Sequence, residues 1–201
     1  MIGQHLDAAW FARPVDEVAQ ALIGACLTLD GVGGRIVETE AYDADDPASH
    51  SFRGPTRRNA AMFGPVGHAY VYRIYGLHWC LNIVCGDAPG GAVLIRALQP
   101  TTGVDLMKAR RGIDAARSLC SGPARLCQAL GVDDRLNHAS MLRTPFALTL
   151  AETSAPVAAG SRIGITKAAD RVRRWGEARS PWLSRPFTAP PHPELTREGK
   201  A

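Results

Sequence analysis

The chain contains no stretch of 18 consecutive apolar residues, and none of its cysteines forms a Cys-x-x-Cys pair. The first absence argues against a membrane-spanning helix. The cysteine count, five, is odd, which argues against a disulfide framework or a zinc site; we expect these side chains to be buried as small apolar groups. Residues 1–16 lack the apolar segment of a signal peptide, so we expect a cytoplasmic protein, nucleoid-associated if bacterial.

Motifs that hold cofactors are also missing. The Gly90-Gly91 pair lacks the spacing of a nucleotide fingerprint, and no metal-ligand cluster or flavin motif is present. We therefore predict no cofactor and no metal. The length of 201 residues and the 46% apolar content suit one globular domain, predicted over residues 1–186. Residues 187–201 are rich in proline and polar residues and are predicted to form a flexible tail.

Aromatic residues are scarce, at 6% of the chain, yet all four tyrosines lie between Tyr42 and Tyr75. Tyr42 follows Glu40 by two residues, and Tyr70, Tyr72 and Tyr75 crowd into one alternating segment. A tyrosine ring on a rigid strand can stack on a flat partner, and a nearby carboxylate can activate water. The pattern indicates a site that binds a planar heterocycle and hydrolyses a bond to it.

Charge is distributed unevenly along the chain. Residues 1–50 contain two basic and nine acidic residues, a net charge of −7, whereas residues 51–201 carry a net charge of +11. This asymmetry fits a protein with one face turned to a polyanion such as a nucleic acid. The alternative is an ordinary solvated surface on a moderately basic protein.

The first third of the chain predicts a helix followed by a β-hairpin. A helix is expected from Pro14 to about residue 23, with acids in its first turn and apolar residues at helical spacing. Strands are expected at 26–29 and 35–42, joined by a glycine-rich turn. Because side chains two apart on a strand share a face, Glu40 and Tyr42 point the same way. Residues 43–67 read as a long functional loop.

The remainder predicts an α+β fold built on a mostly antiparallel sheet. On the strand at 68–75, Tyr70 and Tyr72 share a face. Two further helices are expected. One spans 104–111, and the other is opened by Ser121-Gly122-Pro123, with Ser121 as its cap, and is stopped by Gly131. The other predicted strands are 77–85, 91–98, 146–150, 161–166 and 179–183.

Three polar residues within this pattern have competing interpretations. Arg96 is a lone charge in an apolar strand, so it either forms an ion pair at a strand end or holds a water beside Glu40. A buried Asn82 must bind either backbone or the edge of a base. Tyr75, at a hairpin tip beside a glycine, either packs on a neighbouring loop or enters a DNA groove as a wedge.

Six sequence blocks, in this order, together resemble the alkyladenine (3-methyladenine) DNA glycosylase family of base-excision repair, over residues 13 to 186. The blocks are IVETEAY at 36–42, RN at 58–59 with MF at 62–63, YVYRIYG at 70–76, CLN at 80–82, LIRAL at 94–98 and CSGPARLCQAL at 120–130. The resemblance implies a single domain with a curved, mostly antiparallel sheet, surrounding helices and a protruding β-hairpin.

The resemblance also implies catalytic and DNA-intercalating roles. Glu40 matches the general base that deprotonates the attacking water, and Arg96 matches the arginine that helps to hold this water. Tyr75 matches the tyrosine that fills the space left by the flipped nucleotide, and Leu77 lies beside it. Leu77 and His78 replace other residues found after the wedge, which affects the expected substrate range.

A base-binding pocket is implied by five further residues. Tyr42 and Tyr72 match the two rings that sandwich the base, with His50 on the same wall. Asn82 matches the asparagine that disfavours the exocyclic amine of guanine. Ile163 is expected to offer a backbone carbonyl to the water.

The resemblance therefore implies a monofunctional glycosylase, without lyase activity, that acts as a monomer on double-stranded DNA containing damaged purines. Two alternatives remain: a non-catalytic reader of damaged or bent DNA on the same fold, and a small-molecule hydrolase with an aromatic pocket. Candidates for contacts to the DNA backbone are Arg57, Arg58, Arg73, Arg110 and Arg111.

Overall fold

The computed structural model describes residues 6–153 and 155–187. Apart from Phe187, the tail predicted at 187–201 lies outside these ranges. The strands are β1 Cys26–Leu29, β2 Val32–Tyr42, β3 Ala69–Ile74, β4 His78–Val84, β5 Ala92–Thr102, β6 Phe146–Thr149, β7 Val157–Ser161 and β8 Val172–Glu177. The α-helices are α1 Ala8–Phe11, α2 Val15–Ala21, α3 Val104–Arg111 and α4 Pro123–Leu130, and short 3₁₀ helices span Ala60–Phe63, Ala116–Ser118 and Asp134–Leu136.

All eight strands join one curved antiparallel sheet with β2 at its centre, which confirms the predicted α+β class. The order is β3-β4-β5-β2-β1-β6, and β8, paired with β7, lies beside the second half of β2. One edge of β2 is therefore shared: its first residues pair with β1, and residues 38–40 pair with β8. This arrangement places two strands from distant parts of the sequence around the same carboxylate-bearing segment.

The helix predicted from Pro14 is confirmed as α2. Asp16 and Glu17 lie in its first turn, where acids complement the helix dipole, and its buried side chains include Val15 and Val18. The helix packs against β2, β5 and β8. On β2, the Thr39 hydroxyl donates to the α2 carbonyl of Ala19 at 2.9 Å. Residues 38, 40 and 42 consequently point to the other face of the sheet.

Two predicted strands are wrong, and β7 and β8 stand in their place. Residues 162–166 form a loop, because the buried Arg162 bonds outside any ladder and Gly164 has a left-handed φ of 76°. Residues 179–183 form turns: Arg179 has a φ of 62°, and Pro181 has no backbone N–H to donate. The sequence pattern does not predict β8, because its arginine-rich sequence does not resemble that of a buried strand.

Most helix and strand ends lie within two residues of the prediction, but β2 begins at Val32 instead of 35, because residues 32–34, predicted as a turn, pair with β1. Two further ends also differ. The predicted cap Ser121 is wrong: Gly122 occupies the cap position of α4, and the Ser121 hydroxyl accepts a bond from Arg125 at 3.0 Å. The predicted stop Gly131 is confirmed, with φ of 80° and its N–H bonded to Cys127. β5 runs four residues past its predicted end, to Thr102. No helix among the described residues is long and apolar enough to cross a membrane.

Candidate active site

The Glu40 carboxylate, on the second half of β2, accepts two hydrogen bonds and forms one ion pair. Its Oε2 atom lies 2.8 Å from the Tyr42 hydroxyl and 3.2 Å from Nη1 of Arg96. Its Oε1 atom accepts the backbone N–H of Ile163 at 2.8 Å. The predicted common orientation of Glu40 and Tyr42 is thus confirmed. Glu40 has 0% relative exposure, so in this conformation the donors close the carboxylate off from solvent.

Arg96 links two carboxylates. Its Nε lies 3.1 Å from Glu38, while Nη1 reaches Glu40. Burial alone would lower the pKa of this guanidinium, but the charges of Glu40 and Glu38 outweigh it and raise the pKa. The ion-pair interpretation of Arg96 therefore describes the molecule, with the candidate base as one of the two partners, and the role of Arg96 in holding a water stays a prediction.

A concave pocket of about 180 Å³ is lined in part by Tyr42, whose hydroxyl bonds to Glu40, while Glu40 and Arg96 themselves are not among its lining residues. It is smaller than the roughly 300 Å³ at which pockets for drug-sized ligands begin, so its size suits a single flat heterocycle. Four of the predicted site residues line it. The lining side chains are Tyr42, Ala48, His50, Met62, Tyr70, Tyr72, Ile74 and Asn82, and the loop after β7 contributes Gly164 and Ile165.

One wall of the pocket is an aromatic cluster. Tyr70 and Tyr72 stack at 5.3 Å between ring centroids, and His50 meets Tyr72 edge-on at 4.6 Å. His50 Nδ1 lies 2.8 Å from the Tyr70 hydroxyl, which fixes the imidazole ring at the rim. Tyr70 had no assigned role in the sequence prediction, although the alternation along β3 already placed it on the same face as Tyr72.

The aromatic and imidazole groups of the pocket are neutral near pH 7. Burial raises the pKa of Tyr70 to about 12. Burial also raises the pKa of Tyr42 and Tyr72, and the neighbouring Glu40 adds to the increase for Tyr42. Burial, and to a lesser degree the charge of Arg58, lowers the pKa of His50 below 6.5. The pocket walls therefore stack and donate without carrying charge.

Asn82 forms part of the pocket and is 4% exposed. Its Nδ2 donates to the Tyr70 carbonyl across the β3–β4 ladder at 2.9 Å. The side-chain amide is thus anchored to backbone while it also faces the pocket. The two interpretations of this residue are compatible, since an anchored amide presents a fixed group to a ligand.

Ile163 contacts the site through its backbone amide, which donates to Glu40. The pocket wall itself is made by the next two residues, Gly164 and Ile165. The predicted role of the Ile163 carbonyl stays a prediction.

A buried ion pair behind Tyr42 was not anticipated. The Arg162 guanidinium lies 4.6 Å from the Tyr42 ring centroid, donates to the Ala41 carbonyl at 3.0 Å, and pairs with Asp46. Both charged side chains have 0% exposure. Nothing local in the sequence shows this pair, because its members are 116 residues apart. The pair supports the back of Tyr42 and joins the loop after β2 to the loop after β7.

The tip of the β3–β4 hairpin projects two large apolar side chains into solvent. Tyr75 is 83% exposed and Leu77 is 75% exposed. Tyr75 and Gly76 have φ values of 52° and 68°, and the Leu77 N–H bonds to the Ile74 carbonyl at 3.1 Å. Packing of Tyr75 on a neighbouring loop is therefore excluded, and the protruding hairpin is confirmed. A bulky residue in the left-handed region is strained, which indicates a functional constraint.

The five arginines proposed for the DNA backbone fall into two groups. Arg57, Arg58 and Arg73 are exposed near the hairpin; Arg58 donates to the Arg73 carbonyl at 3.3 Å, and Arg73 lies over the Trp79 ring. Arg110 instead donates to the Leu130 carbonyl at 2.6 Å at the end of α4, and Arg111 bonds to Gln128. The first group is free to meet a phosphate, whereas the second joins α3 to α4.

Comparison with known proteins adds the following findings. A family model described as methylpurine-DNA glycosylase (MPG) matches residues 9–181. A protein of Nitrosospira multiformis is 59% identical over 181 residues, covering 90% of this chain and 94% of the relative. Another, of Granulibacter bethesdensis, is 58% identical over 182 residues, covering 89% of this chain and 86% of the relative. Each carries the name "Putative 3-methyladenine DNA glycosylase".

Proposed function

The chain belongs to the methylpurine-DNA glycosylase family, and we propose that it removes alkylated purines from duplex DNA by hydrolysing the N-glycosidic bond. The observation that carries the proposal is the Glu40–Arg96 pair, which is joined through the Tyr42 hydroxyl to a small pocket walled by Tyr42, Tyr72 and His50. A glycosylase needs a carboxylate that acts as general base on water and a flat slot for the nucleobase, and Tyr42 connects these two features here.

Substrate capture requires the damaged nucleotide to leave the helix. Flipping costs a few kcal/mol, and less for a damaged or mispaired base. Stacking against Tyr42 and Tyr72 offsets part of that cost, at roughly 1–3 kcal/mol per stacked base in related single-strand systems. The exposed Tyr75, with Leu77 beside it, enters the helix and occupies the vacated space. Asn82 faces the edge of the base and disfavours guanine.

Hydrolysis follows by attack of water on C1′ of the sugar. The proton of the water passes to Glu40, and the electrons of the N-glycosidic bond leave with the base. General base catalysis of this kind typically contributes about 10²- to 10⁴-fold. An alkylated purine already carries positive charge and leaves as a neutral base, so it needs no acid. A deaminated purine such as hypoxanthine lacks that charge, and we expect it to leave more slowly.

The burial of Glu40 adds a step to this mechanism. Water can reach the Glu40 carboxylate only after one of the groups that contact its oxygens moves away. Of the three donors, the Tyr42 hydroxyl belongs to a side chain that also lines the pocket. We therefore propose that stacking of the base on Tyr42 turns this hydroxyl away from Oε2, so that hydrolytic water reaches Glu40 only when a base is bound.

We propose no strand-cleavage step. A lyase reaction would need an amine in the pocket, and neither of the lysines in the described part of the chain, Lys108 and Lys167, is among the lining residues. The product would be an abasic site.

The test uses duplex DNA with one alkylated purine and measures the free base and the abasic site under single-turnover conditions. Glu40→Gln should abolish release while lesion binding persists, because Arg96 keeps Glu38 as its partner and the fold is maintained. Glu177→Gln is the matched control, since Glu177 pairs with Arg35 away from the pocket. Undiminished release by Glu40→Gln removes this residue from the reaction. Tight binding by the wild-type protein without any release would instead identify a reader of damaged DNA.

A further inference from the structure

Glu38 is a second buried carboxylate on the same face of β2 as Glu40. It has 0% exposure and accepts four bonds. Its Oε1 receives Arg96 Nε at 3.1 Å, Arg174 Nε at 2.7 Å and the Ser184 hydroxyl at 2.8 Å. Its Oε2 receives the Ser184 backbone N–H at 2.6 Å. Glu40 bonds to Tyr42, which lines the pocket, whereas none of the bonding partners of Glu38 lines it, so Glu38 is not itself the candidate base.

Glu38 and Arg96 lie on the same side of the β2–β5 ladder, because the register that pairs Ile36 with Leu98 and Glu40 with Leu94 would place them opposite each other; the ladder is irregular at this point. The register shifts on both sides of Glu38: Ile36 lies opposite Leu98, Glu38 opposite Ala97 and Thr39 opposite Ile95. Val37 on β2 and Arg96 on β5 are thereby left without a direct partner. Such bulges redirect side chains, and they are common next to active sites. Here the irregularity lies at the positions of Glu38 and Arg96, next to the Glu40 carboxylate.

The guanidinium of Arg96 is planar, so two anchored nitrogens fix its orientation. Nε is held by Glu38, Nη2 donates to the Ser184 hydroxyl at 3.3 Å, and Nη1 is left to reach Glu40. If Nε lost its acceptor, the plane would be free to rotate about the side-chain bonds, and Nη1 would lose its defined place beside Glu40.

The charges of this cluster balance. Glu38 and Glu40 carry two negative charges, and Arg96 and Arg174 carry two positive charges, all in buried positions. Arg174 also lies over the Phe187 ring at 4.1 Å and bonds to the Arg185 carbonyl. The segment 184–187 therefore covers the cluster and supplies two of the four donors to Glu38.

We propose that Glu38 is a positioning residue for catalysis: it orients Arg96, and through Arg96 it sets the place of Glu40 and of the water between them. Ser184 takes part in the same positioning, because its backbone N–H and its hydroxyl both bond to Glu38. This inference rests on the proposed glycosylase function, because it assigns a part in that reaction to a residue that touches neither the base nor the sugar.

The test uses two variants that keep the buried charges balanced. Glu38→Gln combined with Arg174→Gln removes one charge of each sign, and Ser184→Ala removes one donor without any change of charge. We expect the double variant to fold and to bind lesion DNA like the wild type, but to release the base roughly 10- to 100-fold more slowly in a single turnover. The basis is that a misplacement of about 1 Å costs on the order of 100-fold. Ser184→Ala should show a smaller loss of the same kind.

A purely structural role would lower thermal stability without separating binding from the chemical step. Melting temperature, lesion affinity and single-turnover rate are therefore measured together, with Glu177→Gln as the control for loss of an ion pair on β8. A wild-type rate in the folded double variant, or losses that follow melting temperature alone, would overturn the proposal. Absence of release by the wild-type protein would refute the glycosylase function instead, so the two failures are distinguishable.

Discussion

The Asp46–Arg162 pair lies where the pocket wall meets the protein interior. Arg162 stacks behind Tyr42, and the loop that it begins carries Ile163, which bonds to Glu40. Breaking a buried pair by removing one partner is strongly destabilising, because the remaining charge has no counterpart. The ring that is proposed to stack on the base is therefore held by electrostatics on its far side.

Asp46→Asn should lower the free energy of unfolding by about 3–5 kcal/mol at neutral pH. Burial raises the pKa of Asp46, but hydrogen bonds from Arg162 and from the Ala48 amide outweigh it and bring the pKa below 3.8. A carboxyl group whose pKa is lower in the folded protein than in the unfolded chain stabilises the fold at pH values above its unfolded pKa. This stabilisation is lost as the pH falls through the folded pKa. The difference between wild type and variant should therefore be full at neutral pH and shrink below pH 3.8.

Urea unfolding across a pH series measures this difference. Asp133→Asn is the control, because Asp133 pairs with the largely exposed Arg135, and an exposed pair contributes little. An equal loss in both variants at neutral pH would contradict the assignment of Asp46 as a structural anchor.

At the scale of elements, the β3–β4 hairpin combines a regular ladder with an irregular tip. Positive φ at both central residues is what a type I′ turn requires, and asparagine followed by glycine is its favoured sequence. Here the first of these positions is Tyr75. A non-glycine residue in this region costs about 1–3 kcal/mol. Tyr75 thus has a conformational cost, and its exposed ring gives nothing to the core in return.

Tyr75→Asn should stabilise the protein by about 1 kcal/mol, since asparagine tolerates the left-handed region. The same change should weaken lesion capture and slow base release, because the wedge is lost. Thermal melting and lesion-DNA binding measure the two effects. Arg179→Asn is the matched control: Arg179 also has a left-handed φ, at 62°, but lies away from the hairpin, so it should gain stability without any effect on DNA. Unchanged capture by Tyr75→Asn would exclude the wedge.

Local patterns predicted the elements whose partners lie nearby in the sequence. The hairpins of β1–β2 and β3–β4, the helix α2 and the shared face of Glu40 and Tyr42 all follow from spacing over a few residues. The neighbours of Glu38 do not, because Arg174 and Ser184 are 136 and 146 residues away. A buried arginine looks like a surface residue until its carboxylate is found, which is why β8 and the loop at 162–166 were misassigned.

At the scale of the whole molecule, some arginines of residues 51–201 are buried in ion pairs, and others are exposed to solvent. Arg96, Arg162 and Arg174 neutralise buried carboxylates and are not available to a ligand. Arg57, Arg58 and Arg73 remain exposed near the hairpin that carries Tyr75. The net charge of +11 therefore overstates the surface that can meet a polyanion, and the location of the exposed arginines is the more useful guide.

The salt dependence of DNA binding tests this division. Each phosphate contact contributes a slope of about −0.9 to the logarithm of affinity against the logarithm of salt concentration. Alanine at Arg57, Arg58 or Arg73 should weaken binding to damaged and undamaged duplexes alike and reduce the slope by about one contact each. Arg110→Ala should leave the slope unchanged and lower the stability of the protein, because its guanidinium holds the Leu130 carbonyl. A slope that responds to Arg110 but not to the three arginines near the hairpin would place the DNA along α3 rather than along the hairpin.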